Sequence, residues 1–272
     1  MENINTELIF TGNELLNGRI LNTNSRWLSK KLTNIGCNVT RIITVPDNLK
    51  SIIENVKNSL ENNPAFLFIS GGLGSTFDDL TLEAVSKALN KPLILNDKAV
   101  EYLKLNYEYL KSIKLIKEYI LDNYKRKMAT LPDGATPLYN PMGAAPGVHI
   151  IFKKTHIFCL PGVPSEFKSI FRTHIKKIIK NIIGDRKYIK MSFYAEGFIE
   201  SEITHISEKV MKEFKDIWVK TFVKAPHIRK AIEFEVSSSG KEEETKRKVQ
   251  FTIQKLKELV INNGGTIIKN GA

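Results

Sequence analysis

The chain has 272 residues, 42% hydrophobic and 26% charged, with a formal net charge of +12, so one large or two modest globular domains are expected. No stretch approaches the ~20 apolar residues of a membrane crossing, and the opening Met1-Glu2-Asn3-Ile4-Asn5 lacks the basic-then-apolar order of a signal peptide, which predicts a cytoplasmic protein. The basic excess lies in mixed Lys/Glu runs such as 209–215 and 241–248, the pattern of solvated helical faces; it predicts attraction for anionic small molecules and no specific nucleic-acid partner.

In chain order, residues 6–11 read as a buried strand. Residues 24–35 read as a helix with Leu28, Leu32 and Ile35 on one face, stopped by Gly36. Residues 38–45 alternate as a strand. A helix follows to about Glu61, with Asp47 expected as its N-cap. The continuous apolar run 65–70 predicts a central parallel strand covered on both sides. It runs straight into a glycine-rich loop, and a helix is expected from about Thr81. Residues 97–125 read as one or two helices, 148–153 and 156–160 as strands, and 164–182 as a helix opened by Pro164. This order predicts a three-layer, doubly wound, mostly parallel α/β sheet.

Gly184-Asp185 marks a boundary between an α/β domain over 1–183 and a smaller α+β module over 184–272. The module reads as strand 188–194, helix 200–214, strands 217–223 and 230–237, and helix 242–262. Cys37 and Cys159 form neither a disulfide framework nor a zinc pattern. His149, His156, His174, His205 and His227 read as surface or packing residues, and none is assigned to catalysis.

The segment Gly71-Gly72-Leu73-Gly74-Ser75-Thr76-Phe77-Asp78-Asp79-Leu80-Thr81 carries the strongest chemical pattern. Its glycines bring backbone N–H groups against an anion without Cβ obstruction. Its place, after a strand and before a helix, is where α/β sheets hold ligands. Ser75 and Thr76 add hydroxyl donors. The bland alternative is a turn in which one aspartate caps the next helix. Capping uses one carboxylate, however, and a second beside it predicts a divalent cation shared with phosphate.

This loop resembles the GGLGPT-x-DD-x-T signature of the CinA family, a branch of the MoaB/MogA-type molybdopterin-binding fold. Four further segments resemble that family in order. They are Thr11–Gly18 with Asn22–Ser25, Lys127-Met128-Ala129 with Pro132, Asn140–Gly147, and Leu160–Glu166. The resemblance is dense over about 6–167. Ser75, Asn13, Met128 and Ala144 stand where the family pattern has proline, aspartate, glutamine and threonine. The second module is similar to the family's KH-type middle domain, lacks a GXXG clamp, and is expected to be structural or to form a homodimer. The family's carboxy-terminal nicotinamide mononucleotide amidase domain has no counterpart before Ala272, so that activity is not implied.

The resemblance implies metal-dependent hydrolysis of a nucleotide phosphoanhydride, ADP-ribose above all. Asp78 and Asp79 would hold Mg, Mn or Co, and Lys127 would neutralise developing charge. Gly71, Gly72, Gly74, Ser75, Thr76, Thr81, Glu14, Asn24, Asn140, Gly143, Pro146, Gly147, Pro161, Gly162 and Glu166 would contact substrate. Two alternatives remain. One is a molybdopterin-binding or adenylating protein; the other is a non-catalytic nucleotide-binding protein related to the deamidase.

Overall fold

Strand β1 (Asn5–Thr11) and strand β3 (Phe66–Ser70) are buried almost throughout, as strands covered on both faces must be. In the computed structural model, which describes residues 4–114, 116–197, 200–224 and 231–268, they lie side by side. Between them in sequence come α1 (Asn13–Leu16), α2 (Thr23–Asn34), β2 (Asn38–Val45) and α3 (Leu49–Glu61). After β3 follow α4 (Thr81–Leu89), β4 (Leu93–Leu95), α5 (Asp97–Ser112), α6 (Asn123–Ala129), β5 (Thr130–Pro132) and β6 (Thr136–Leu138). The hairpin β7 (Gly147–Phe152) and β8 (Thr155–Leu160) then leads into α7 (Pro164–Ile170). A π-helical stretch, Phe171–Ile175, joins α7 to α8 (Lys176–Ile183). The helix expected over 164–182 is therefore continuous in path but not uniformly α.

The main sheet has the order β2-β1-β3-β8-β7-β6. Its first four strands run parallel, β7 runs antiparallel to β8, and β6 runs antiparallel to β7. Alternation along β3 divides the core. Leu67 and Ile69 share one cluster with Ile52 and Val56 of α3 and Val85 of α4. On the opposite face Phe68 stacks on Phe158 at 5.0 Å, and Phe171 packs on Trp27 of α2 at 5.3 Å. Helices thus cover both faces, as the doubly wound reading requires. The chain leaves β1 for β2 on one side and reaches β3 on the other. This reversal opens a crevice at the carboxyl ends of the strands.

The second compact unit comprises Thr33–Cys37 and the chain from Ile183 onward. It contains β9 (Arg186–Glu196), α9 (Glu200–Glu213), β10 (Trp218–Lys224), β11 (Ala231–Lys241), α10 (Glu242–Asn262) and β12 (Thr266–Ile268). The antiparallel order is β10-β11-β9-β12. Phe193, Phe234 and Val236 of the sheet share a core with Ile206 and Val210 of α9 and Val249 and Leu256 of α10. His227 and Lys230, the expected start of a strand, lie outside the described residues. Among the described residues no helix is long and apolar enough to cross a membrane.

Candidate functional site

Four parallel strands deliver their carboxyl ends to one cavity of about 630 Å³. Its wall takes Thr11 and Gly12 after β1, Asp47 after β2, Gly71–Thr76 with Asp78 and Asp79 after β3, and Pro161 and Gly162 after β8. Gly71 has φ +107°, and an added Cβ would lie 2.5 Å from the Thr11 carbonyl oxygen; only glycine fits this crossing of β1 and β3. The Gly71 N–H donates to Leu160 O at 3.0 Å. The buried Thr81 hydroxyl donates to Gly71 O at 2.7 Å. Thr81 therefore staples the loop from behind and does not line the cavity, contrary to its expected role in substrate contact.

Thr76 organises the carboxylate pair. Its N–H donates to Asp79 Oδ2 at 2.8 Å, and its Oγ1 lies 2.6 Å from the same oxygen. The same hydroxyl also contacts Asp78 Oδ1. A hydroxyl has one proton and can satisfy only one of these oxygens. The other approach brings lone pairs together, an arrangement that positive charge relieves. Lys127 Nζ donates to the Thr76 carbonyl and is not part of the cavity wall, so it acts on the loop from outside. The Thr76 hydrogen bond, then Asp78's own backbone, hold the Asp78 carboxyl below the usual carboxylate range, with Lys127 adding to the effect. The expected donors of Thr76 are thus spent on the aspartates, and Gly72–Ser75 line the cavity beside them.

Asp47 does not cap α3. Asn48 does, accepting from Ser51 N at 3.0 Å. Asp47 Oδ2 instead accepts the Asn13 N–H at 2.9 Å and faces the cavity. Burial pushes its pKa up, against the Asn13 hydrogen bond, and the negative charges of Glu14, Asp78 and Asp79 push it further. Four carboxylates thus share one end of the cavity. Among the described residues no three of them converge closely enough to hold a metal unaided. An oxygen-only donor set, an uncompensated Thr76–aspartate contact and a carboxyl raised by burial and then by its acidic neighbours all fit a hard divalent cation. Mg²⁺ in particular is held by one or two carboxylates together with substrate phosphates and water.

Asn24, in the first turn of α2, donates from Nδ2 to Gly162 O at 2.8 Å and lines the cavity, as does Glu14 in α1. Glu166 completes this wall. Of the segment 140–147, only Ala144 and Ala145 reach the cavity. Asn140, Gly143, Pro146 and Gly147, expected against substrate, stand behind it. The fully buried Asn140 donates to Ala145 O at 2.9 Å and to Glu166 Oε2 at 2.7 Å. Gly147 starts β7, where an added Cβ would meet Ile170 Cγ2 at 3.0 Å.

Asp47 and Tyr107 are cavity residues that sequence reasoning missed. For Asp47 the available signal was its place directly after a parallel strand; for Tyr107, inside a helix, there was none. His149, His156 and His174 pack as expected. His149 Nε2 lies 3.0 Å from His156 Nδ1, its ring stacks on Phe158 at 4.6 Å, and His174 meets the Tyr139 carbonyl.

A mostly parallel sheet whose strand ends present a glycine-rich loop and clustered carboxylates, followed by a small antiparallel module, defines a molybdopterin-binding-type α/β protein. Residues 7–181 match the family described as "Probable molybdopterin binding domain", and the chain belongs to it. A protein of Sulfurisphaera tokodaii is 36% identical over 97% of this chain and 98% of its own length. A protein of Pyrococcus furiosus is 43% identical over 76% of this chain and 81% of its own. Among solved structures, "the protein CinA with unknown function" from Thermoplasma acidophilum is 34% identical with a TM-score of 0.57, covering 64% of this chain and 98% of that one. The CinA likeness of the motifs is therefore met by a solved relative.

Proposed function

We propose that the chain is a metal-dependent hydrolase of a nucleotide phosphoanhydride, with ADP-ribose as the leading substrate. The observation that carries this reading is the pair Asp78 and Asp79, braced by Thr76 on a loop that faces a cavity of about 630 Å³. That volume lies within the range of small-molecule sites, roughly 300–1,000 Å³. The backbone of Gly72–Ser75 offers N–H groups to the pyrophosphate. Asp78 and Asp79 would hold a divalent cation against phosphate oxygens, with Asp47 and Glu14 adding negative charge behind them. When bound, the cation supplies Lewis acidity to the phosphoryl group and to water. Lys127 holds the loop through Thr76 rather than touching the leaving group. Asn24 fixes the Gly162 wall opposite.

The second reading is binding of a phosphate-bearing pterin in the same cavity, and the family match favours it. Purified protein incubated with Mg²⁺, Mn²⁺ or Co²⁺ and with ADP-ribose, NAD, nicotinamide mononucleotide or ATP separates the two when products are identified by mass. Appearance of AMP and ribose 5-phosphate supports hydrolysis. Unchanged nucleotides alongside tight pterin binding would replace it with the second reading.

A further inference from the structure

Glu166 is a carboxyl of the same cavity that the cation-binding aspartates do not explain. Its Oε2 accepts from Asn140 Nδ2 at 2.7 Å. Asn140 cannot turn away, because its Nδ2 also donates to Ala145 O at 2.9 Å and its Oδ1 accepts the Met142 N–H at 3.1 Å. The loop carrying it is clamped from α5, where Asn106 Nδ2 donates to Asn140 O at 2.9 Å and Gly143 O at 2.7 Å. Tyr139 fixes Asn106 in turn, donating to its Oδ1 at 2.9 Å. Gly143 lies so near that an added Cβ would fall 2.5 Å from Glu166 Oε1. One carboxylate oxygen is thus fixed by a rigid buried amide. The other has no hydrogen-bond partner among the described residues, on a side chain that faces the cavity.

We infer that Glu166 is the general base of the site, taking the proton from the water that attacks phosphorus. This rests on the hydrolytic reading above. As the water oxygen bonds to phosphorus, its O–H bond breaks and the proton passes to Glu166 Oε1. The bond from phosphorus to the bridging oxygen breaks, and the departing phosphate keeps the electron pair. Glu166 then returns the proton to solvent. The electrostatic setting agrees with this division of labour. Burial raises the Glu166 carboxyl above the usual range, opposed only by the Asn140 hydrogen bond. Neither residue against it, Asn140 or Gly143, is charged.

The test uses the full chain, Mg²⁺ and ADP-ribose. Glu166→Gln keeps the size and the acceptor for Asn140 but cannot take a proton. Its kcat should fall at least ~100-fold with KM within about threefold, and the acid limb of the kcat–pH profile should disappear. A merely structural role would lower thermal stability and leave that limb in place. Calorimetry of ADP-ribose binding with Ca²⁺, in two buffers of different ionisation heat, gives a readout without turnover: fewer protons exchanged by Glu166→Gln than by wild type. Near-wild-type kcat with an unchanged acid limb, or equal proton exchange in both proteins, overturns the inference. A wild type that turns over, is silenced by Asp79→Asn and survives Glu166→Gln overturns this inference alone. A wild type inert toward every phosphoanhydride overturns it together with the hydrolytic reading.

Discussion

Replacing Gly71 with alanine should unfold the α/β unit far more easily, and the size of the effect follows from the crossing of β1 and β3. Gly71 sits at φ +107°, and its added Cβ would stand 2.5 Å from the Thr11 carbonyl oxygen, backbone that cannot swing aside. Strain at such a dihedral costs about 1–3 kcal/mol, and forcing atoms into a packed site about 1–3 kcal/mol more. Reduced freedom of the unfolded chain returns about 0.5 kcal/mol. The net loss is roughly 2–5 kcal/mol, or on the order of 5–15 °C in melting temperature. Guanidinium denaturation followed by Trp27, which packs on Phe167 and Phe171, isolates this unit in a Trp218→Phe background. Gly74→Ala is the control. Its Cβ would meet only the tip of Asp79, Oδ2 at 2.6 Å, so stability should change by less than ~1 kcal/mol while the carboxylate is displaced. A Gly71→Ala loss below ~1 kcal/mol, or a larger loss for Gly74→Ala, would refute the reasoning.

Three further outcomes follow from the electrostatics. The Asp47 carboxyl has its pKa raised by burial and by its acidic neighbours, so the folded state holds that proton more tightly and loses stability as pH rises through the raised value. Asp47→Asn should therefore raise the melting temperature at a pH of about 7 and not at about 3; no gain at neutral pH would count against the acidic cluster. His149 is lowered from 6.5 to about 4 by burial and then by His156. Stability should thus fall as pH drops through that window, and His149→Gln should flatten the slope of melting temperature against pH; an unaltered slope would assign the acid sensitivity elsewhere. Burial pushes the Cys159 thiol up to about 12, and Cys37 is buried as well, so both should resist a thiol reagent until the chain unfolds; reaction of Cys159 within minutes under native conditions would contradict its placement.

The central sheet was legible because β1 and β3 are apolar runs long enough to carry a pattern, with amphipathic helices between them. Three-residue strands such as β4, β5, β6 and β12 carry no period and could not be read. The π-helical stretch at Phe171–Ile175 leaves the helical apolar pattern almost unchanged, so the break from α geometry is silent in sequence. In the site, the glycine-rich loop was legible because glycine and paired carboxylates are chemically conspicuous. Asp47 was not, because a carboxylate just before a helix reads as its cap while Asn48 beside it caps equally well. The segment 140–147 shows the converse. Its glycines and prolines suggest a ligand wall, yet Asn140 and Gly143 serve Glu166 from behind. Spacing cannot reveal whether a loop faces a cavity or supports a residue that does.

The most direct test of the account is metal-dependent turnover of ADP-ribose by Asp79→Asn, measured at saturating Mg²⁺ beside wild type. Asparagine keeps an oxygen to accept the Thr76 N–H, which now bonds to Asp79 Oδ2 at 2.8 Å, so the fold and melting temperature should hold. The neutral amide is a far poorer ligand for a hard cation. Turnover should drop at least ~100-fold, equivalent to ~2.7 kcal/mol of barrier, and Asp78→Asn should follow it if both carboxylates serve the cation. Near-wild-type turnover in both variants would contradict the account and move the chemistry away from this loop.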